Sequence, residues 1–307
     1  MVENLVIIGS GPAGLTAAIY SARELLKPLV ITGEFGGQPT LTEIIENYPG
    51  FPEGIKGNEL VERIKKQAEK FGARFLNEKV TKVDFSKVPF KIFIGEEVIE
   101  AKCVIIATGS RPRLLGIENE NKFLGRGVST CAICDAPLFV NKVVGVVGGG
   151  DTAIQYALTL SKFAKKVYLI HRRNEFRASK VEQEKVFKNP KIEIVFDSVV
   201  EKIIGETKVK GIVVKNLKTN QTKEIECDGL FLAIGEIPNS EIFNEIEKDE
   251  NGYIKTTEEV KTNIPGVFVA GDVADRKYRQ VITACASGAK AAIEAINFLK
   301  SMAQTNY

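Results

Sequence analysis

The feature that most constrains this chain is a pattern it uses twice. The segment "NLVIIGSGPAGLTAAIYSARE" (4–24) is an apolar strand, a glycine turn and an Ala/Leu-rich helix. Far downstream, "NKVVGVVGGGDTAIQYALTLSKFAKKVYLIHRR" (141–173) repeats strand, glycine turn, helix and strand. Gly9, Gly11 and Gly14 fit G-x-G-x-x-G, and Gly148, Gly150 and Ala153 fit it with alanine at the third position. In this context the first glycine permits a tight turn and the second lets a pyrophosphate approach the backbone. The third allows close helix–strand packing, and the helix N-terminus supplies partial positive charge. Two such units predict an α/β protein with two Rossmann-like domains that bind two dinucleotides.

The strands that follow distinguish the two sites. A free ribose 2′-hydroxyl is usually met by an acidic residue at the end of the second strand. After "KVYLI" (166–170) the chain instead carries His171, Arg172 and Arg173, with Arg177 close behind. Guanidiniums suit a 2′-phosphate, which they grip with charge-assisted bidentate hydrogen bonds, so the second site is read as one for NADPH rather than as a plain solvated loop. After the first motif, "PLVITGEFGGQ" (28–38) offers Glu34 and no basic cluster, which argues against a 2′-phosphate there.

Three more patches look like buried strands that end at a turn: "CVIIATGSRP" (103–112), "GLFLAIGEIP" (229–238) and "GVFVAGDVAD" (266–275). The last delivers Gly271 and Asp272. A carboxylate there suits the ribityl chain of a flavin, or serves as an ordinary turn aspartate; the residues alone leave both open. The first unit thus reads as interrupted. An FAD domain spans 1–115 and 242–307, and an inserted NADPH domain spans 116–241. The crossings fall in "RPRLLGIENE" (111–120) and "IGEIPNSEIF" (234–243), where proline and glycine stiffen or turn the chain. The last residues, "SMAQTNY" (301–307), read as a frayed tail.

Between the units lies "STCAICDAPLF" (129–139), with Cys131 and Cys134 followed at once by Asp135. A structural zinc site needs four ligands, but the chain has one histidine, His171, and no second C-x-x-C; no metal is expected. A structural disulfide is disfavoured in a reducing compartment. A redox-active dithiol remains, with a thiolate as nucleophile. Asp135 is placed either to move a proton during exchange or to cap a helix at "DAPLF" (135–139). Cys103 beside an apolar run reads as a small buried hydrophobe, and Cys227 and Cys285 as structural.

The balance of 42 basic and 39 acidic residues, net +3, gives no case for nucleic-acid binding. No stretch approaches the roughly 18 apolar residues needed to span a bilayer. The opening segment lacks a basic n-region, so no secretory signal and a cytoplasmic location are expected.

In combination the motifs resemble those of the low-molecular-weight thioredoxin reductases, two-dinucleotide flavoprotein disulfide reductases. The matches are "GSGPAG" (9–14), "GGQ" (36–38), "ENYPG" (46–50), "ATG" (107–109), "CAICD" (131–135), "GGGDTA" (148–153), "HRRNEFRAS" (171–179) and "GDVADRKYRQVITA" (271–284). The resemblance implies flavin contacts from Gly9, Gly11, Pro12, Ala13, Gly14, Gly37, Gln38, Asn47, Ala107, Thr108, Gly109, Gly271, Asp272, Arg279 and Gln280. It implies NADPH contacts from Gly148, Gly150, Asp151, Thr152, Ala153, His171, Arg172, Arg173 and Arg177. Cys134 would be the sulfur nearest the flavin, Cys131 the thiol that attacks the partner's disulfide, and Asp135 the acid–base group. It also implies a homodimer, a rotation between domains, and thioredoxin as the electron acceptor. A glutaredoxin-like protein or peroxidase system is the alternative acceptor, and a redox sensor that does not turn over is the reading from another class.

The chain departs from that pattern in three places. Gln155 and Tyr156 stand where relatives often carry two glutamates, Ala136 where glycine is common, and Cys285 with Ala286 where relatives often have a small Ala-Gly run. Cys285 reads as inert packing in preference to an extra oxidation target.

Overall fold

The computed structural model describes residues 2–305. The chain divides into two compact units, residues 1–111 with 237–307 and residues 112–236. The crossings thus fall at 111/112 and 236/237, where the sequence reading placed them at 115/116 and 241/242.

In the first unit the chain runs β1 (Val2–Ile8), α1 (Pro12–Arg23), β2 (Leu29–Ile31), α2 (Gly57–Lys70), β3 (Arg74–Leu76), β4 (Lys82–Asp84), β5 (Phe90–Ile94) and β6 (Glu97–Ile106). The first crossing is strand β7 (Ser110–Pro112).

The second unit then runs α3 (Glu120–Phe123), β8 (Val128–Ser129), α4 (Ala132–Asp135), β9 (Val143–Val147), α5 (Asp151–Ser161), β10 (Lys166–Ile170), α6 (Lys180–Phe187) and β11 (Ile192–Val195). It continues through β12 (Ser198–Gly205), β13 (Val209–Asn216), β14 (Thr222–Glu226) and β15 (Gly229–Leu232). Strand β16 (Glu236–Pro238) pairs with β7 in a ribbon of the two crossings, and β17 (Val267–Val269) and α7 (Val281–Thr305) complete the first unit.

In the first unit's sheet β3, β2, β1, β6 and β17 lie parallel, while β5 and β4 add an antiparallel edge beside β6. Side chains alternate across a strand, so one strand can serve two cores. Leu5 and Ile7 of β1 pack with Leu15 and Ala18 of α1 and Ala291, Ala292 and Ala295 of α7. Val6 and Ile8 face the other way, toward Phe85, Phe90, Ile92 and Phe243. The second unit repeats the scheme with the parallel order β11-β10-β9-β15-β8. Val144 and Val146 of β9 meet Ile154, Ala157 and Leu160 of α5. The opposite face, with Val147, Ile170 and Leu230, is covered by the antiparallel meander β12-β13-β14 through Val200, Ile203, Ile212 and Ile225. Each unit is therefore a Rossmann-like α/β layer, the second inserted into the first.

The C-terminal expectation is corrected. Residues 301–305 belong to α7 rather than to a frayed tail, and the rest of that stretch lies outside the described residues. The helix persists because its apolar face has a partner: Phe298 packs edge-on against Phe268, with ring centroids 6.2 Å apart.

Candidate active site

In the first unit β1 ends in the turn Gly9–Gly11. Gly9 sits at φ +111°, and a Cβ there would run into the Ala107 carbonyl. A Cβ at Gly14 would run into the carbonyl of Gly9. A Cβ at Gly11 would meet nothing within 4 Å, so the middle of the turn is open at the N-terminus of α1.

The fold brings the motif-derived residues of this unit into contact across distant stretches of chain. Gly37 lies 3.6 Å from Gly11, measured from the position of a Cβ, and the Gln38 amide donates to the Ser110 carbonyl at 3.0 Å. The Asn47 amide donates to Gln280 Oε1 at 3.1 Å across 233 residues of chain. Gly271, at φ +76°, lies against Ala13 in the first turn of α1, and Asp272 follows it half-buried. Thr108 and Asn239 bond reciprocally: Thr108 Oγ1 donates to the Asn239 carbonyl at 2.7 Å, and Asn239 Nδ2 donates to the Thr108 carbonyl at 2.9 Å. Arg279 stands beside Gln280 in a left-handed conformation, φ +47°.

The second unit builds its turn the same way. Gly148, at φ +149°, would collide with the Ala233 carbonyl if it carried a Cβ, and Gly150 again faces open space. Ala153 N–H donates to the Gly150 carbonyl at 3.0 Å, starting α5. Asp151 Oδ1 accepts from Ser179 N–H at 2.9 Å, while Thr152 is exposed. The Arg177 backbone N–H donates to the Gly149 carbonyl at 2.8 Å, which ties the basic loop to the turn. Arg172, Arg173 and Arg177 are exposed, and none makes an ion pair among the described residues.

His171 stands apart from these arginines. It is 6% exposed, its Nε2 is buried without a hydrogen-bond partner, and its ring lies 5.6 Å from that of Phe176. A Cβ at Gly149 would land on the imidazole, so His171 forms the floor of the turn. Burial, with the three arginines, holds its pKa below the usual histidine value, against an opposing backbone hydrogen bond at Glu175.

The cysteine pair lies in the same unit as this turn. Cys131 and Cys134 form a disulfide with Cα atoms 5.3 Å apart. Cys131 is the N-cap of α4, and its Sγ accepts from Cys134 N–H at 3.2 Å. Cys131 N–H donates to Ser129 Oγ at 3.0 Å. Asp135 stands at the N-cap position of the short 3-10 helix Ala136–Phe139, as the capping alternative has it, but its side chain makes no capping hydrogen bond there. Burial raises its carboxyl pKa above the ordinary range, and a hydrogen bond with Ser129 pulls the other way. A shift in that direction favours the protonated carboxyl, the form able to give a proton to a leaving thiolate.

The remaining cysteines are free and buried. Burial raises the pKa of all three, that of Cys227 to about 12. Cys285 lies 3.8 Å from both the Tyr48 hydroxyl and the Pro12 carbonyl, in keeping with packing. Tyr48 is itself pushed up to about 12, by burial and by Cys285. Among the described residues no group of three or more His, Cys, Asp or Glu is placed to hold a metal, and no helix is long and apolar enough to cross a membrane.

Sequence reasoning missed Ser129 and Asn239, and met Tyr156 only as a departure from the family pattern. The Tyr156 hydroxyl donates to the Thr130 carbonyl at 2.6 Å. Only the contact of distant segments reveals Asn239 and Tyr156; the proximity of Ser129 to the cysteine pair was a local signal that went unused.

Residues 3–288 match the family model for pyridine nucleotide-disulphide oxidoreductases. The chain is 49% identical over 303 residues to a thioredoxin reductase of Rickettsia typhi, covering 96% of this chain and 98% of that protein. It is 46% identical to a thioredoxin reductase of Streptomyces coelicolor, covering 98% and 95%. The crystal structure of thioredoxin reductase from Streptococcus pyogenes superposes with a TM-score of 0.93 at 39% identity, covering 98% of this chain and 99% of that one. Two dinucleotide folds with a C-x-x-C disulfide define a class, and the chain belongs to the pyridine nucleotide-disulphide oxidoreductase family. Within that family it falls with the low-molecular-weight thioredoxin reductases.

Proposed function

We propose that the protein catalyses NADPH + H⁺ + thioredoxin disulfide → NADP⁺ + thioredoxin dithiol, with electrons passing through FAD and the Cys131–Cys134 pair. The observation that carries this reading is the disulfide itself, beside the half-buried Asp135 and in the unit that holds the Gly148–Gly150 turn.

The residues fit both cofactors. The open backbone at Gly11, close to Gly37, suits the pyrophosphate of FAD at the N-terminus of α1. The open backbone at Gly150, with three unpaired guanidiniums at the end of β10, suits NADPH and its 2′-phosphate. The unit of residues 1–111 with 237–307 is then the FAD domain and that of residues 112–236 the NADPH domain. Bound there, the two cofactors supply hydride transfer and the passage of electrons to sulfur.

The chain's own residues perform the exchange. The Cys131 thiolate attacks a sulfur of the oxidised partner to form a mixed disulfide, and the partner's other sulfur leaves as a thiol with a proton from Asp135. Cys134 then attacks Cys131, which re-forms the intramolecular disulfide and releases reduced partner. Thioredoxin is the proposed partner. A homodimer and a cytoplasmic setting complete the reading, with no part for nucleic acid or membrane.

The test is NADPH oxidation by the FAD-loaded enzyme with oxidised thioredoxin, beside a Cys134→Ser variant. Thioredoxin-dependent oxidation that disappears in the variant is expected. Flavin reduction without thioredoxin turnover would point to another dithiol acceptor, and no turnover with any acceptor to a sensor.

A further inference from the structure

Tyr156 lies in α5, the helix that starts at the Gly150 turn, two residues beyond the buried Ile154. Its ring is half-buried against the core that contains Ala132 and Ala136, and its neighbour Gln155 is exposed. An aromatic ring at this helix flank is explained by packing alone. The hydroxyl is not. It donates to the carbonyl of Thr130 at 2.6 Å, at the short end of the O–H···O range, across 26 residues.

Thr130 is the bend between β8 and Cys131, the N-cap of α4. The backbone from which Cys131 hangs is thus held twice: Ser129 Oγ takes the Cys131 N–H, and Tyr156 takes the Thr130 carbonyl. The first bond is local to the loop. The second fixes the loop to the helix whose N-terminus faces the candidate nucleotide turn, and the structure holds it with the disulfide formed.

We propose that Tyr156 is a positioning residue for the dithiol, its hydroxyl fixing the Thr130 carbonyl so that Cys131 is presented to Cys134 in the geometry of the disulfide. This rests on the reading of Cys131 and Cys134 as the redox pair. A half-buried carbonyl that loses its donor must reorient or hydrate, which moves the backbone carrying Cys131. The disulfide form loses support that the opened dithiol, free of the covalent constraint, requires less.

The experiment equilibrates the full-length, FAD-loaded protein anaerobically, without NADPH, in buffers of reduced and oxidised glutathione. In this exchange the two thiols form one S–S bond, and oxidised glutathione takes up their two electrons and two protons to become two glutathione thiols. Acid quenching, alkylation and mass analysis of the peptide carrying both cysteines give the equilibrium constant. Tyr156→Phe keeps the ring and removes only the hydroxyl; Tyr20→Phe, at an exposed tyrosine of the first unit, is the control.

For Tyr156→Phe the constant for disulfide formation falls by about 2- to 10-fold, the range for one neutral hydrogen bond, while Tyr20→Phe matches the parent. An unchanged or increased constant in Tyr156→Phe overturns the proposal, whatever happens to its thermal midpoint. A parent protein whose pair does not interconvert at any glutathione ratio overturns the redox reading, and the positioning role with it.

Discussion

The two glycine turns follow one plan but differ at its third position, Gly14 in the first unit and Ala153 in the second. In the first, the start of α1 is pressed from both sides. Gly14 abuts the Gly9 carbonyl, while Gly288 of α7 abuts the Ala13 carbonyl and Gly271 the Ala13 methyl. In the second, α5 leaves room for the methyl of Ala153, which lies against Gly148, and the floor of the turn is the His171 imidazole. A third position therefore reads out how tightly its surroundings close on the helix. The third position of the first turn admits no Cβ, because the Gly9 carbonyl stands where it would sit, whereas that of the second admits the methyl of Ala153.

The largest expected effect tests that contrast directly. Gly14→Ala forces a methyl into the Gly9 carbonyl, a backbone atom that cannot swing aside, and costs about 3 kcal/mol or more. Purified protein should hold little flavin and melt earlier; full flavin content with an unchanged midpoint would break the comparison.

A middle effect concerns what surrounds the second turn. Arg172→Ala with Arg173→Ala should raise KM for NADPH more than tenfold, since a hydrogen bond to a charged group contributes about 1.5–3 kcal/mol. KM for NADH should hold nearly constant, and equal losses for both would remove the 2′-phosphate assignment.

Ala153→Gly should cost only about 0.5–1 kcal/mol, the ordinary price of glycine in a helix. Calorimetry should then show a drop of a few degrees or less, with NADPH binding retained.

The smallest effect is one of pH. His171 titrates near 6.5 in the unfolded chain, whereas burial and the three arginines hold it lower in the folded one. As pH falls below about 6.5, the unfolded state takes up the proton first, so stability declines with acidification and is flat for this group above that value. The thermal midpoint between pH 7.5 and 5.5 should fall more steeply in the parent than in His171→Leu.

Both turns were legible because each lies within one short stretch: an apolar strand, glycines at fixed spacing, and a helix that opens at once. The C-x-x-C and its redox character were legible for the same reason, aided by the absence of other metal ligands. His171 was less so. Its place beside three arginines put it with the phosphate-binding group, whereas its side chain points under the turn, because the last residue of a buried strand and the first beyond it face opposite sides. The length of α7 was also hidden, since "SMAQTNY" (301–307) is polar and the helix is held by Phe298 on Phe268.

By itself the sequence determined the two dinucleotide folds, the insertion of one in the other, and the identity of the reactive cysteines. The folds follow from periodicity and spacing, which act over a few residues, and the insertion from the order of the motifs along the chain. The cysteines follow from the want of other metal ligands together with the family resemblance. Only the tertiary structure decided which polar groups hold the sites. Asn239 finds Thr108 and Tyr156 finds Thr130, because half-buried polar groups must be paired and the fold brings the partners within reach, while the exposed Asn47 meets Gln280 across 233 residues of chain. No local pattern encodes such pairs, since each partner's position is set by how the strands and helices between them pack.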